Sequence, residues 1–229
     1  MGRPPKVDHV RDAFIHEINT ARNLVQAIDT LPRKSGKTTN PGIHPKHVKQ
    51  VVELAFMGVV AAWEEFLERI LVRYVAGAQC NSGYSPTHKY GSGNNLSHAY
   101  ELLSQSPNYD PQKDYLKVSD PRWVWRTADF FFSSHPFGNL SNKSDLLKKA
   151  NIVRNRIAHE SEKCKSDFKE AVIWFLQPAN NQLKQGYGPG ALLTAPVQRH
   201  FPQPVIQANT THFEAYMSLY KGLANDLVP

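Results

Sequence analysis

The chain has 229 residues, 41% of them hydrophobic, and its 27 Lys and Arg against 20 Asp and Glu give a formal charge of +7. That length allows one sizeable core or one domain with a large insertion, and the basic excess suits a polyanionic partner without demanding one. Two distant cysteines, Cys80 and Cys164, without a paired metal-ligand spacing suggest neither a disulfide framework nor a zinc finger, and the longest uncharged apolar run, Leu54 to Trp63, is too short to span a bilayer.

From Val7 to Ile28 the residues Val7, Val10, Phe14, Ile18, Ala21, Val25 and Ile28 recur every three or four positions, which predicts an amphipathic helix. Pro4 and Pro5 precede it and Leu31-Pro32 closes it; the basic stretch Arg33 to Gly42 reads as a loop. A longer helix is expected from Pro45 to about Ala76, apolar on every side in its middle. On it Glu64, Glu65 and Glu68 mark where one side emerges, and Gly58 is expected to permit close helix packing. The stretch 78–142 turns rich in Gly, Ser, Pro, Tyr and His, with helical candidates at Leu96 to Ser104 and Pro121 to Ser133, and reads as an insertion.

A third core helix is expected from Ser144 to Leu176, stopped by Pro178, with a break possible near Ser161 to Ser166. Gly186 to Pro204 is punctuated by Pro and Gly and reads as irregular, and Thr210 to Leu227 as a last helix. No extended strand pattern stands out. The expectation is one all-α domain, 1–229, with core helices at about 5–31, 45–76, 144–176 and 210–227 and an insertion at about 78–142. The opening MGRPPKVDHV holds no apolar signal segment, so a cytoplasmic protein without membrane contact is expected.

The string Arg154-Asn155-Arg156-Ile157-Ala158-His159 places a guanidinium, an amide and an imidazole on one helix. The spacing alone is weak, because Arg11 to His16 and Arg3 to His9 repeat it; those two are assigned to ordinary helix surface. At about 100° per residue, Leu146, Ala150, Val153 and Ile157 form the core stripe. Asn155 and His159 then face outward, Arg154 lies between the two faces, and Ile152 falls on the outer side.

Phe56 to Leu67 (FMGVVAAWEEFL) together with Asn151 to Glu160 (NIVRNRIAHE) resembles the HEPN superfamily, whose nuclease members carry Arg, a polar residue, a short spacer and His. The resemblance implies an all-helical bundle whose motif lies on a late helix and works across a homodimer. It further implies a metal-independent endoribonuclease, with no cofactor, acting as a toxin or antiviral effector on RNA. An antitoxin or regulatory protein would be a natural partner. Arg154, Asn155 and His159 become the catalytic candidates. His159 would move protons, because an imidazole titrates near neutrality, and Arg154 would hold the phosphoryl oxygens. Attack by the ribose 2′-OH would leave a 2′,3′-cyclic phosphate. The alternative is a HEPN-like dimerisation module that binds nucleic acid, nucleotide or protein without cutting; a purely structural helical dimer is a third class.

Glu64 and Glu65 are secondary candidates, although such glutamates are more often solvated or paired with a neighbouring cation. His44 and His47 lack a carboxylate or cysteine at a metal-binding spacing, so no metal site is expected. Arg156 is a further possible substrate contact, as are Lys89, Arg122, Trp123 and Arg126 in the insertion. There, aromatic residues interleaved with cations can stack bases and hold phosphates, or equally form the small core of the insertion.

Overall fold

The structure, a computed structural model, describes residues 6–34, 42–93 and 95–229. Pro4, Pro5, Arg3 of the Arg3 to His9 spacing, and most of the expected Arg33 to Gly42 loop lie outside the described residues. The described chain is mostly helical: α1 (Asp8–Asp29), α2 (Pro45–Val75), α3 (Leu96–Ser104), α4 (Pro121–Phe131), α5 (Asn139–Asn142), α6 (Ser144–Ala158), α7 (Glu162–Leu176), α8 (Pro189–Thr194), α9 (Gln203–Gln207) and α10 (His212–Leu227). Strands β1 (Thr87–His88) and β2 (Phe132–Ser134) form a short antiparallel ladder. Among the described residues no helix is long and apolar enough to cross a membrane.

The chain divides into two compact units, one of Met1–His16, Ala62–Lys148 and Lys221–Pro229, the other of Glu17–Ala61 and Lys149–Tyr220. In the first, Phe14 stacks on Phe66 with centroids 5.0 Å apart and tilts against Trp63 at 5.5 Å. Helix α2 ends where Gly77 takes a φ of 81°, a left-handed turn that a side chain would strain. The Ala78 amide there donates back to the Arg73 carbonyl at 2.9 Å, satisfying a carbonyl of the last turn.

The same end of α2 is tied to both ends of the chain. The Tyr74 hydroxyl, buried, donates to the Leu227 carbonyl at 2.8 Å, and the Cys80 sulfur lies 3.2 Å from it. Arg11 Nη1 donates to the Val228 carbonyl at 2.8 Å, and the Asn81 amide to buried Asp8 at 2.8 Å. Buried polar groups are costly unless paired, so these bonds specify one arrangement of the three segments.

The stretch expected as an insertion forms α3, the ladder and α4, packed within this unit on Ala99, Leu103, Val124, Ala128 and Phe132, all buried. Asn95 caps α3 by accepting from the His98 amide at 2.9 Å, and Asp120 caps α4 through the Arg122 amide at 3.0 Å. The ladder departs from the strand-free expectation; its strands, two and three residues long, carry no readable alternation.

The second unit buries Ile18, Val25, Val52, Phe56, Phe175 and Tyr216 among others. Phe56 meets Tyr216 edge-on at 5.3 Å. Arg22 Nε bonds Glu214 at 2.8 Å and its Nη2 donates to Ser218 at 2.8 Å. The span expected to be irregular holds α8 and the start of α9. Pro189, with its fixed φ and no amide hydrogen to lose, opens α8, and the Gly190 amide donates to Glu53 Oε1 at 2.6 Å. Gly58, expected at a helix contact, is instead exposed, and an added Cβ would meet nothing within 4 Å.

Candidate functional site

Helix α6 buries Leu146, Ala150 and Val153 of the expected stripe and Leu147 beside them, while Ile157, the fourth residue expected there, is half-buried. The helix expected from 144 to 176 is broken into two, as allowed for near Ser161 to Ser166, with the break starting earlier, at residue 159. Helix α6 stops at Ala158, and Ser161 starts α7 by accepting from the Cys164 amide at 3.3 Å. His159 is therefore the first residue past α6 rather than part of a continuing helix. Its amide still donates to the Asn155 carbonyl at 2.9 Å, which holds the two residues about one turn apart.

Arg154 is half-buried, with its Nε closed off from solvent; Asn155 is half-buried and His159 exposed. The side chains of Asn155 and His159 make no hydrogen bond among the described residues, so within one chain the amide does not orient the imidazole. Arg156 Nη1 donates to the His159 carbonyl at 3.1 Å. Its guanidinium therefore closes the C-terminal end of α6, where a cation also meets the favourable end of the helix dipole. Ile152 is half-buried.

Glu64 and Glu65 belong to the first unit, and Glu65 pairs with Arg69 at 3.1 Å, one turn along α2. His44 and His47 are exposed with rings 6.0 Å apart, and His47 Nδ1 lies 2.9 Å from the Gln50 side chain. Among the described residues no three His, Cys, Asp or Glu stand together as a metal site.

One polar cluster escaped the sequence reading. Glu68, expected to face solvent, is half-buried and accepts from the Tyr100 hydroxyl at 3.0 Å. Tyr100 stacks on Tyr109 with centroids 5.2 Å apart. Burial raises the Glu68 carboxyl above its ordinary value, opposed by the Tyr100 bond, and pushes the Tyr109 phenol up to about 12. The only signal in the sequence was a carboxylate in an apolar helical run, and its partner is 32 residues away.

Three of the four insertion candidates, Arg122, Trp123 and Arg126, line an open cleft of about 790 Å³ between α3 and α4, together with Leu103, Thr127 and Phe130 among others. Arg122 and Arg126 are exposed and Trp123 half-buried. Lys89 lies apart from the lining and donates from Nζ to the Asp129 carbonyl at 2.6 Å. Compared with protein-family models, curated proteins and solved structures, the chain matches none.

Proposed function

We propose that this chain is a metal-independent endoribonuclease of the HEPN type, active as a homodimer and serving as a toxin or antiviral effector. What carries the reading is the end of α6: an exposed imidazole, His159, just past the helix and held one turn from Asn155, with the half-buried Arg154 preceding Asn155 on a helix whose other face is core. A two-fold axis at this end would supply two imidazoles and two guanidiniums to one phosphate.

One His159 removes the proton of the ribose 2′-OH, whose oxygen attacks the adjoining phosphorus. The P–O5′ bond breaks, and the His159 of the second copy protonates the departing oxygen. The products are a 2′,3′-cyclic phosphate and a 5′-hydroxyl. Arg154 donates to the phosphoryl oxygens as negative charge builds on them. Neither step calls for a metal, because the ribose supplies the nucleophile and the side chains supply proton transfer and charge. DNA lacks the attacking hydroxyl and stays intact.

The test is cleavage of end-labelled RNA by wild type, Arg154→Ala and His159→Ala, with and without EDTA. His159→Ala is expected to lose roughly 100- to 10,000-fold in rate, with wild-type activity unaffected by chelator. Light scattering should show a dimer. Cleavage retained in His159→Ala but abolished by EDTA would falsify the mechanism, and RNA bound without cleavage would favour the non-catalytic binding module.

A further inference from the structure

Helix α4 has a face that its own fold does not explain. Its sequence, PRWVWRTADFF, buries Pro121, Val124 and Ala128 and sends Arg122, Arg126 and Phe130 outward, four residues apart in succession. An outward stripe of an ordinary helix is polar and solvated. This one ends in a phenylalanine that is 61% exposed, with Tyr90, 75% exposed, beside it at a centroid distance of 5.7 Å.

The two arginines are equally unexplained. Arg11, Arg22, Arg33 and Arg69 each hold a carboxylate. Among the described residues Arg122 and Arg126 hold none with their side chains. The acids nearby are engaged: Asp120 accepts from the Arg122 amide as the helix cap, and Asp129 bonds His135 at 2.9 Å. Two guanidiniums about 6 Å apart along a helix axis can each take one phosphate of an extended strand.

Between these cations the cleft offers ring surface. Trp123 lines both the 790 Å³ cleft and an adjoining hollow of about 490 Å³. That second hollow carries Tyr115, 85% exposed, together with Tyr109 and Lys117; Asp114, also on its wall, accepts the Asp110 amide at 3.0 Å. Phe130, with Tyr90 against it, and Trp123 belong to the first hollow with Arg122 and Arg126, and Trp123 and Tyr115 to the second with Lys117.

From this juxtaposition we infer that the cleft between α3 and α4 is a binding site for single-stranded RNA, its bases stacking on Phe130, Trp123 and Tyr115 and its phosphates held by Arg122 and Arg126. A single strand exposes base faces that a duplex keeps stacked inside, so duplex RNA is excluded from this mode. The unpaired cations, the ring-rich lining and the formal charge of +7 favour a polynucleotide over an acidic peptide. The inference does not rest on cleavage at Arg154 and His159.

The test uses the full chain and a fluorescein-labelled 2′-O-methyl oligouridylate, which lacks the attacking hydroxyl and so reports binding whether or not the protein cuts RNA. Anisotropy is followed against salt for wild type, Phe130→Ala, Tyr115→Ala and the Arg122→Ala/Arg126→Ala double variant, all exposed positions. Losing two phosphate contacts should flatten the slope of log K against log salt by about 1.4. Losing one stacked ring should weaken binding about 5- to 150-fold and leave the slope unchanged. No binding by wild type, wild-type affinity in every variant, or displacement of the oligonucleotide by poly-glutamate as readily as by unlabelled single strand would each overturn the assignment.

Discussion

Replacing Gly190 by alanine should destabilise the protein, although alanine is ordinarily the better helix residue. The new Cβ would lie 2.7 Å from Lys49 Cβ, 2.8 Å from the Lys49 carbonyl oxygen and 2.9 Å from Glu53 Oε1. Two of these neighbours are fixed to the backbone of α2 and cannot swing aside, so α8 must recoil. Overpacking of this kind costs about 1–3 kcal/mol. Recoil also lengthens the bond from the Gly190 amide to Glu53, now 2.6 Å, and a hydrogen bond to a charged group contributes about 1.5–3 kcal/mol. Against this, alanine gains about 1 kcal/mol over glycine in a helix. With the bond weakened rather than lost, about 2 kcal/mol of overpacking and about 1 kcal/mol of bond energy, less about 1 kcal/mol for alanine, leave a net loss of about 2 kcal/mol. For a chain of this size that is a fall in Tm of about 4–8 °C, read by circular dichroism. Gly58→Ala is the matched control: nothing stands within 4 Å of its Cβ, so the same substitution should stabilise by about 1 kcal/mol. Equal shifts in the two variants, or a Gly190→Ala protein as stable as wild type, would refute the reasoning.

Tyr74→Phe leaves the ring in place and removes the hydroxyl that donates to the Leu227 carbonyl, so urea unfolding should show a loss of about 1–2 kcal/mol, with the midpoint moving and the m-value constant. Glu68 tests the sign of a linkage. Its folded-state carboxyl is raised above the ordinary 4.5, so its contribution is fully present below that value and is lost as pH rises through the raised folded value. Glu68→Gln stays neutral and can still accept from Tyr100. It should therefore raise Tm at pH 7 relative to wild type, with the difference vanishing near pH 4; a difference that grows on acidification would contradict the assigned direction.

The long helices were legible because their burial follows 3.6-residue periodicity: Val10, Phe14 and Ile18 on α1, and Leu146, Ala150 and Val153 on α6, are buried where the spacing placed them. The bounds of α3 agree as well, expected and found at Leu96–Ser104. The end of α6 was harder. Ser161 competes as an N-cap with continuation of the helix, and only the surrounding packing decides between them, which moved His159 off the helix. Glu68 and Gly58 failed for a shared reason. Whether a position meets a neighbour depends on segments far away in the chain, Tyr100 for the one and open space for the other. At the motif, residue identities and the one-turn relation of Asn155 to His159 were readable. The use of Arg156 as a cap was not, because it depends on where the helix stops.

The bonds that join Tyr74 to Leu227 and Arg11 to Val228 bear on how the chain is made. A ribosome delivers Asp8–Asp29 and Pro45–Val75 long before Leu227 and Val228 emerge, so these bonds of the first unit form only after most of the described chain has been made. Loop closure over more than two hundred residues must precede the bond from Arg11 to Val228. That chain order makes the tether of α1 and α2 to residues 227 and 228 a late event in folding rather than an early one.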